Sequence, residues 1–137
     1  MKILLAGATG LIGNAVAQAA MRRGFEVMAV GFNRKPDLPP PHKSYQIDLR
    51  DPLALERLVF DHFPDVIINA AAYSSQRLMQ GQDELLVHAL NVGFPARLAQ
   101  LAHHISARFY HFSTDMVFSG KHAPYRTTDL PHPNTEY

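Results

Sequence analysis

A chain of 137 residues is one domain's worth of sequence, long enough to bury about two-thirds of the surface it exposes when unfolded. Hydrophobic residues make up 47% and charged residues 18%, and thirteen Lys and Arg against twelve Asp and Glu leave a formal charge of +1, too balanced for a nucleic-acid binder that works by neutralising phosphates. There is no cysteine for a disulfide framework or thiolate chemistry, and no apolar run approaches a membrane span, so a cytoplasmic globular protein is expected.

The first element is Lys2–Ala6 (KILLA), a short apolar run that breaks into glycines. It reads as a buried strand and is too short for a signal peptide. Leu11–Arg23 predicts a helix with Leu11, Ile12, Ala15, Val16, Ala19 and Ala20 on one face. Gly24 stops it after two arginines, which suit the C-terminal end of the helix dipole. Glu26–Val30 predicts a second strand, and four prolines within residues 35–42 then enforce a loop. Tyr45–Ile47 is a short third strand. Asp51 as N-cap with Pro52 behind it marks the start of a second helix, over 51–63. Asp65–Ala72 predicts a fourth buried strand, and residues 83–105 a long helix bent near Pro95. Arg108–Ser113 predicts a fifth strand, followed by loop to residue 137. Strands alternating with helices predict an α/β fold, a doubly wound parallel sheet with right-handed crossovers and strand order 3-2-1-4-5.

The stretch GATGLIG places Gly7, Gly10 and Gly13 between the first strand and the first helix. One glycine serves the tight turn, one admits a pyrophosphate and one lets helix pack close on strand, while the helix N-terminus offers amides to phosphate. A cofactor without a 2′-phosphate meets an acid about twenty residues further on. Here GFNRKP supplies Phe32, Asn33, Arg34 and Lys35, and no acid before Asp37. A forked guanidinium beside a lysine favours NADP(H) over NAD(H). His103 and His104 are adjacent and point to different helix faces, so no metal site is expected. Ser113 two residues from His111 lacks the turn that a hydrolase nucleophile needs.

The spacing of Gly7, Gly10 and Gly13, with DVIINAAAYS, ALNVGFPARLA and HFSTDMVFSGKHAPYRTTDLPHPNTEY, resembles the extended short-chain dehydrogenases/reductases, and among them the dTDP-4-dehydrorhamnose reductases. GFNRKP is also similar to the regulatory beta subunit of methionine adenosyltransferase, of the same fold. The resemblance implies that Thr9, Gly10, Leu11 and Ile12 wrap the pyrophosphate. Phe32, Asn33 and Arg34 would hold the adenosine ribose and its phosphate. Asp48 and Leu49 would flank the adenine, Ala70 and Ala71 would line the cofactor, and Ser74 would lie near its phosphates or ribose. Asn91 takes the place of a structural or proton-relay asparagine. Thr114 would hydrogen-bond the carbonyl of a nucleotide-sugar substrate, Tyr137 would be the catalytic acid, and a homodimer is the assembly in keeping with it. Two departures stand out. Met116 replaces a tyrosine common in the reductases, and the chain stops before the lysine of the Tyr-x-x-x-Lys pair and before a substrate lobe. Residues 1–137 are thus expected to be a single NAD(P)-binding domain, without turnover of its own.

Overall fold

The computed structural model describes residues 1–73, 84–121 and 123–134. The apolar runs form strands because only a sheet covered on both faces can bury them. At the centre, β1 (Lys2–Ala6) pairs in parallel with β2 (Glu26–Gly31) and β4 (Val66–Asn69). Outside these lie β3 (Lys43–Gln46) against β2 and β5 (Arg108–His111) against β4, giving the parallel order β3-β2-β1-β4-β5. This is the doubly wound order expected.

The period of two along each strand divides the core. Ile3 and Leu5 of β1, with Val27 and Ala29 of β2, pack towards α1 (Leu11–Arg22). Leu4, Ala6, Met28 and Val30 pack on the other face, with α2 (Pro52–His62) and α4 (Phe94–His104). On that second face Arg97 of α4 pairs with Glu56 of α2.

Three local features depart from the expectations. Of the six residues expected on the inner face of α1 only Ala20 is buried; Gly13 and Ala17 join it there, whereas Leu11 is 91% and Ile12 50% exposed. Small residues win that face because α1 lies so close to β1. The fourth strand ends at Asn69, short of Ala72. There the Asn69 side chain accepts the Ala71 N–H at 3.0 Å, turning the chain out of the sheet. The long helix forms as α3 (Glu84–His88), a π-helical turn (Ala89–Gly93) and α4. The irregularity precedes Pro95, which sits in the first turn of α4. Proline has no hydrogen to give the carbonyl of Asn91 and its ring crowds that carbonyl, so the wider turn upstream accommodates it.

Candidate functional site

Beyond β1 the chain must turn sharply to enter α1. Gly7 does this at φ 78°, with its N–H and that of Ala8 donating to the Val30 carbonyl at 3.0 and 3.2 Å. A Cβ on Gly7 would lie 2.5 Å from the Ala70 and Ala71 backbone, and one on Gly13 would lie 2.1 Å from the Gly7 oxygen. Neither position admits a side chain. Gly10 differs, because its Cβ would meet only the Gly7 oxygen, at 3.4 Å. Gly7 and Gly13 are therefore required by the packing, and Gly10 faces open space. Gly10 is also the N-cap of α1 without a side-chain cap, so the first-turn amides are left to another acceptor.

The open space is a cavity of about 560 Å³ at the C-terminal ends of the strands, where the chain order switches between β1 and β4. It gathers Gly7, Thr9, Gly10, Phe32, Asn33, Arg34, Leu49, Ala70 and Ala71, with Ala72, Tyr73 and Leu90. Arg34 lies across the glycine loop and donates to the Thr9 carbonyl at 3.1 Å. An adjoining recess holds Leu11, Arg34, Lys35 and Asp37. Asp48, expected beside Leu49 at the adenine, lines none of these spaces. It holds Arg50 by two arms, Nε to Oδ1 at 2.9 Å and Nη2 to Oδ2 at 2.7 Å, and the guanidinium lies 5.7 Å from the Phe32 ring centre. The Arg50 hydrogen bonds hold the Asp48 carboxyl below its ordinary pKa. Ile12 lines none of these spaces. Ser74 and Tyr137 lie outside the described residues.

A second cavity, of about 140 Å³, opens on the far side of Ala71 and Ala72, lined by Asn91, His111, Phe112, Ser113, Thr114 and Val117. Asn91 reaches out of the π turn and clamps the Tyr73 backbone twice, accepting its N–H at 2.7 Å and donating to its carbonyl at 3.1 Å. Thr114 caps a short 3-10 turn (Asp115–Val117). Its hydroxyl accepts the Met116 N–H at 3.2 Å and donates to Asp115 Oδ1 at 3.3 Å. Met116 is partly buried and does not line the cavity. His111 does; its Nδ1 faces Asn69 Nδ2 at 3.1 Å, not Ser113.

Two contributors escaped the sequence. Gly31 ends β2, where a Cβ would lie 2.0 Å from the Arg34 carbonyl, so the loop carrying Arg34 can close only on a glycine. Its signal was a glycine directly ahead of FNRKP. Asn69 is the other, hidden in an apolar run. Among the described residues no group of three His, Cys, Asp or Glu is placed to hold a metal, and no helix is long and apolar enough to cross a membrane.

Comparison with known proteins bears on all of this. Residues 1–137 match the model of the family described as the RmlD substrate binding domain. The beta subunit of methionine adenosyltransferase 2 from Rattus norvegicus is 33% identical over 136 residues, which span 99% of this chain and 39% of that protein. A dTDP-4-dehydrorhamnose reductase from Mycobacterium tuberculosis is 31% identical over 141 residues, spanning 99% of this chain and 41% of its own. Among solved structures, a protein described as a hypothetical dTDP-4-dehydrorhamnose reductase from Sulfolobus tokodaii superposes with a TM-score of 0.86 at 28% identity, over 100% of this chain and 48% of that one. The chain thus spans about two-fifths of the length of these curated relatives.

Proposed function

The chain belongs to the RmlD substrate binding domain family, and on that premise we propose that it is the cofactor-binding portion of an NADP(H)-dependent reductase of a nucleotide-linked keto sugar. Gly10 carries this reading. A side chain there would enter the cavity and not the protein, as a cradle for a closely approaching pyrophosphate requires. The remaining residues fit such a ligand. Thr9, Gly10, Leu11 and the first turn of α1 take the pyrophosphate, and Phe32, Asn33 and Leu49 take the adenosine. Arg34 and Lys35 take a 2′-phosphate, against the single carboxylate of Asp37 on the same recess. Ala70 and Ala71 line the cofactor behind β4, with Ser74 near its phosphates or ribose.

When bound, the dinucleotide supplies a hydride to the carbonyl carbon. Thr114 fixes the carbonyl oxygen, and to do so its hydroxyl turns from Asp115 into the second cavity. Tyr137 gives that oxygen a proton. An unperturbed tyrosine has a pKa of about 10, so this step needs a nearby cation to favour the phenolate.

Titration with NADPH and NADH tests the proposal. NADPH should bind tighter, and Arg34→Ala should remove most of the gap, about 1.5–3 kcal/mol for a charged pair. Equal affinities for the two cofactors would refute the assignment of Arg34. A second reading, a nucleotide-binding regulatory subunit without turnover, is favoured by the 33% identity to the methionine adenosyltransferase subunit and by apolar Met116. A protein of the relatives' full length that binds NADPH yet reduces no 4-keto sugar nucleotide would decide for it.

A further inference from the structure

Asn69 and His111 stand opposite each other in register at the ends of β4 and β5. Asn69 is fully buried, and a buried amide needs partners at both ends. Its Oδ1 accepts the Ala71 N–H at 3.0 Å. A backbone N–H can only donate, so this contact identifies which end of the amide is oxygen. The NH₂ end then faces His111 Nδ1 at 3.1 Å. Because that end also only donates, Nδ1 is the acceptor and the ring proton sits on Nε2. The ring lies parallel to Phe109, planes 6° apart and centres 6.3 Å apart, which holds its tilt. His111 lines the smaller cavity, and Ala71 lines both cavities.

We propose that His111 is a positioning residue: acting through Asn69, it fixes the Ala70–Ala72 backbone that separates the two cavities, so that a ring in the smaller cavity sets the wall of the larger one. Partial burial keeps the imidazole pKa below its ordinary value and so favours the neutral ring this chain of hydrogen bonds requires. His111 need not touch a ligand in the larger cavity for this. The affinity consequence rests on the cofactor reading above, but the hydrogen-bond chain does not.

Three measurements on the 137-residue chain test it. At pH 8, ¹⁵N spectra of the imidazole should report the Nε2–H tautomer for His111. Asn69→Asp sets a carboxylate against Nδ1 and should draw the proton there. In His111→Phe the Ala71 amide should exchange with solvent about tenfold faster, as expected when a buried hydrogen bond loses its support, while Leu5 in β1 keeps its wild-type rate. The NADPH Kd of that variant should rise by a similar factor. An Nδ1–H tautomer in the wild type, or unchanged Ala71 exchange in His111→Phe, overturns the proposal. An unchanged NADPH Kd in that variant, with the wild type binding normally, overturns its reach into the larger cavity. A wild type that binds no NADPH but shows the expected tautomer and exchange supports the positioning role and refutes the cofactor reading instead.

Discussion

On the β1–β2 side of the shared wall, the larger cavity is shaped by backbone. Gly7, Gly13 and Gly31 let main chain approach main chain closely, and Gly7 itself lines the cavity beside Phe32, Asn33 and Arg34. On the β4–β5 side the smaller cavity is shaped by side chains. Asn69, Asn91 and Thr114 each hold backbone by a specific polar contact, and His111 meets the Asn69 side chain. The first kind of site is damaged by adding atoms and the second by removing them. Close-packed backbone leaves nowhere for a new carbon, whereas a deleted amide strands its buried partners.

The largest effect should come from Gly13→Ala. Its methyl would lie 2.1 Å from a carbonyl oxygen that cannot swing away. Urea unfolding should show a loss of roughly 3 kcal/mol or more, the upper end of overpacking. A loss below that range would mean that α1 slides outward freely and that the contrast between the two sides is overstated. Gly10→Val comes next and isolates the ligand from the fold. NADPH binding should vanish while stability falls by only about 1 kcal/mol, the scale of an N-cap substitution. Retained binding would show that all three glycines serve the turn alone. Asn91→Leu keeps the size and removes both contacts to Tyr73, so stability should fall by about 2 kcal/mol through an unsatisfied N–H and C=O. A neutral outcome would move Asn91 out of the set of side-chain clamps.

The smallest effect is on pH. The pKa of His111 is lowered in the fold, so the unfolded chain takes up its proton first as pH falls. Its contribution is complete above about 6.5, the ordinary histidine value, and is lost as pH falls through the lower folded value. Tm should therefore decline slightly as pH falls below about 6.5 and level off once it is below the folded value. His111→Gln should flatten the decline, and an identical slope in that variant would assign the titration to another group.

The same contrast explains what could be read from the sequence. Lys2–Ala6 and the start at Asp51 and Pro52 were legible because their causes are local. Asp51 Oδ1 accepts from Leu53 and Ala54, two and three residues on, at 2.9 and 3.2 Å. The glycine loop was legible for the same reason. The inner face of α1 was legible only at Ala20, because hydrophobic spacing also selects Leu11 and Ile12 while the nearness of β1 selects Gly13 and Ala17. Asn69 was read as one more position in an apolar strand. Its role needs His111, 42 residues away, and the pairing of two strands that no local pattern reports. Asn91 was singled out only through a family likeness. Its hold on Tyr73, 18 residues back, depends on a turn that helical periodicity does not encode.

The π turn at Ala89–Gly93 also constrains how this helix can change length. A wide turn amounts to one surplus residue in an otherwise regular helix, and each residue of an α-helix advances the azimuth by about 100°. Deleting one residue from it would leave α3 and α4 on the faces they now present, but would press a regular turn against Pro95, whose ring crowds the carbonyl four residues back. Winding the same residues as regular α-helix, with none deleted, would instead rotate α3 by that angle relative to α4 and swing Val87 away from the core it now shares with Phe94 and Leu98. Substitutions alone cannot straighten this helix without breaking the register of its two halves. The surplus residue is thus a fixed count in the chain, kept by the need for α3 and α4 to face the same sheet.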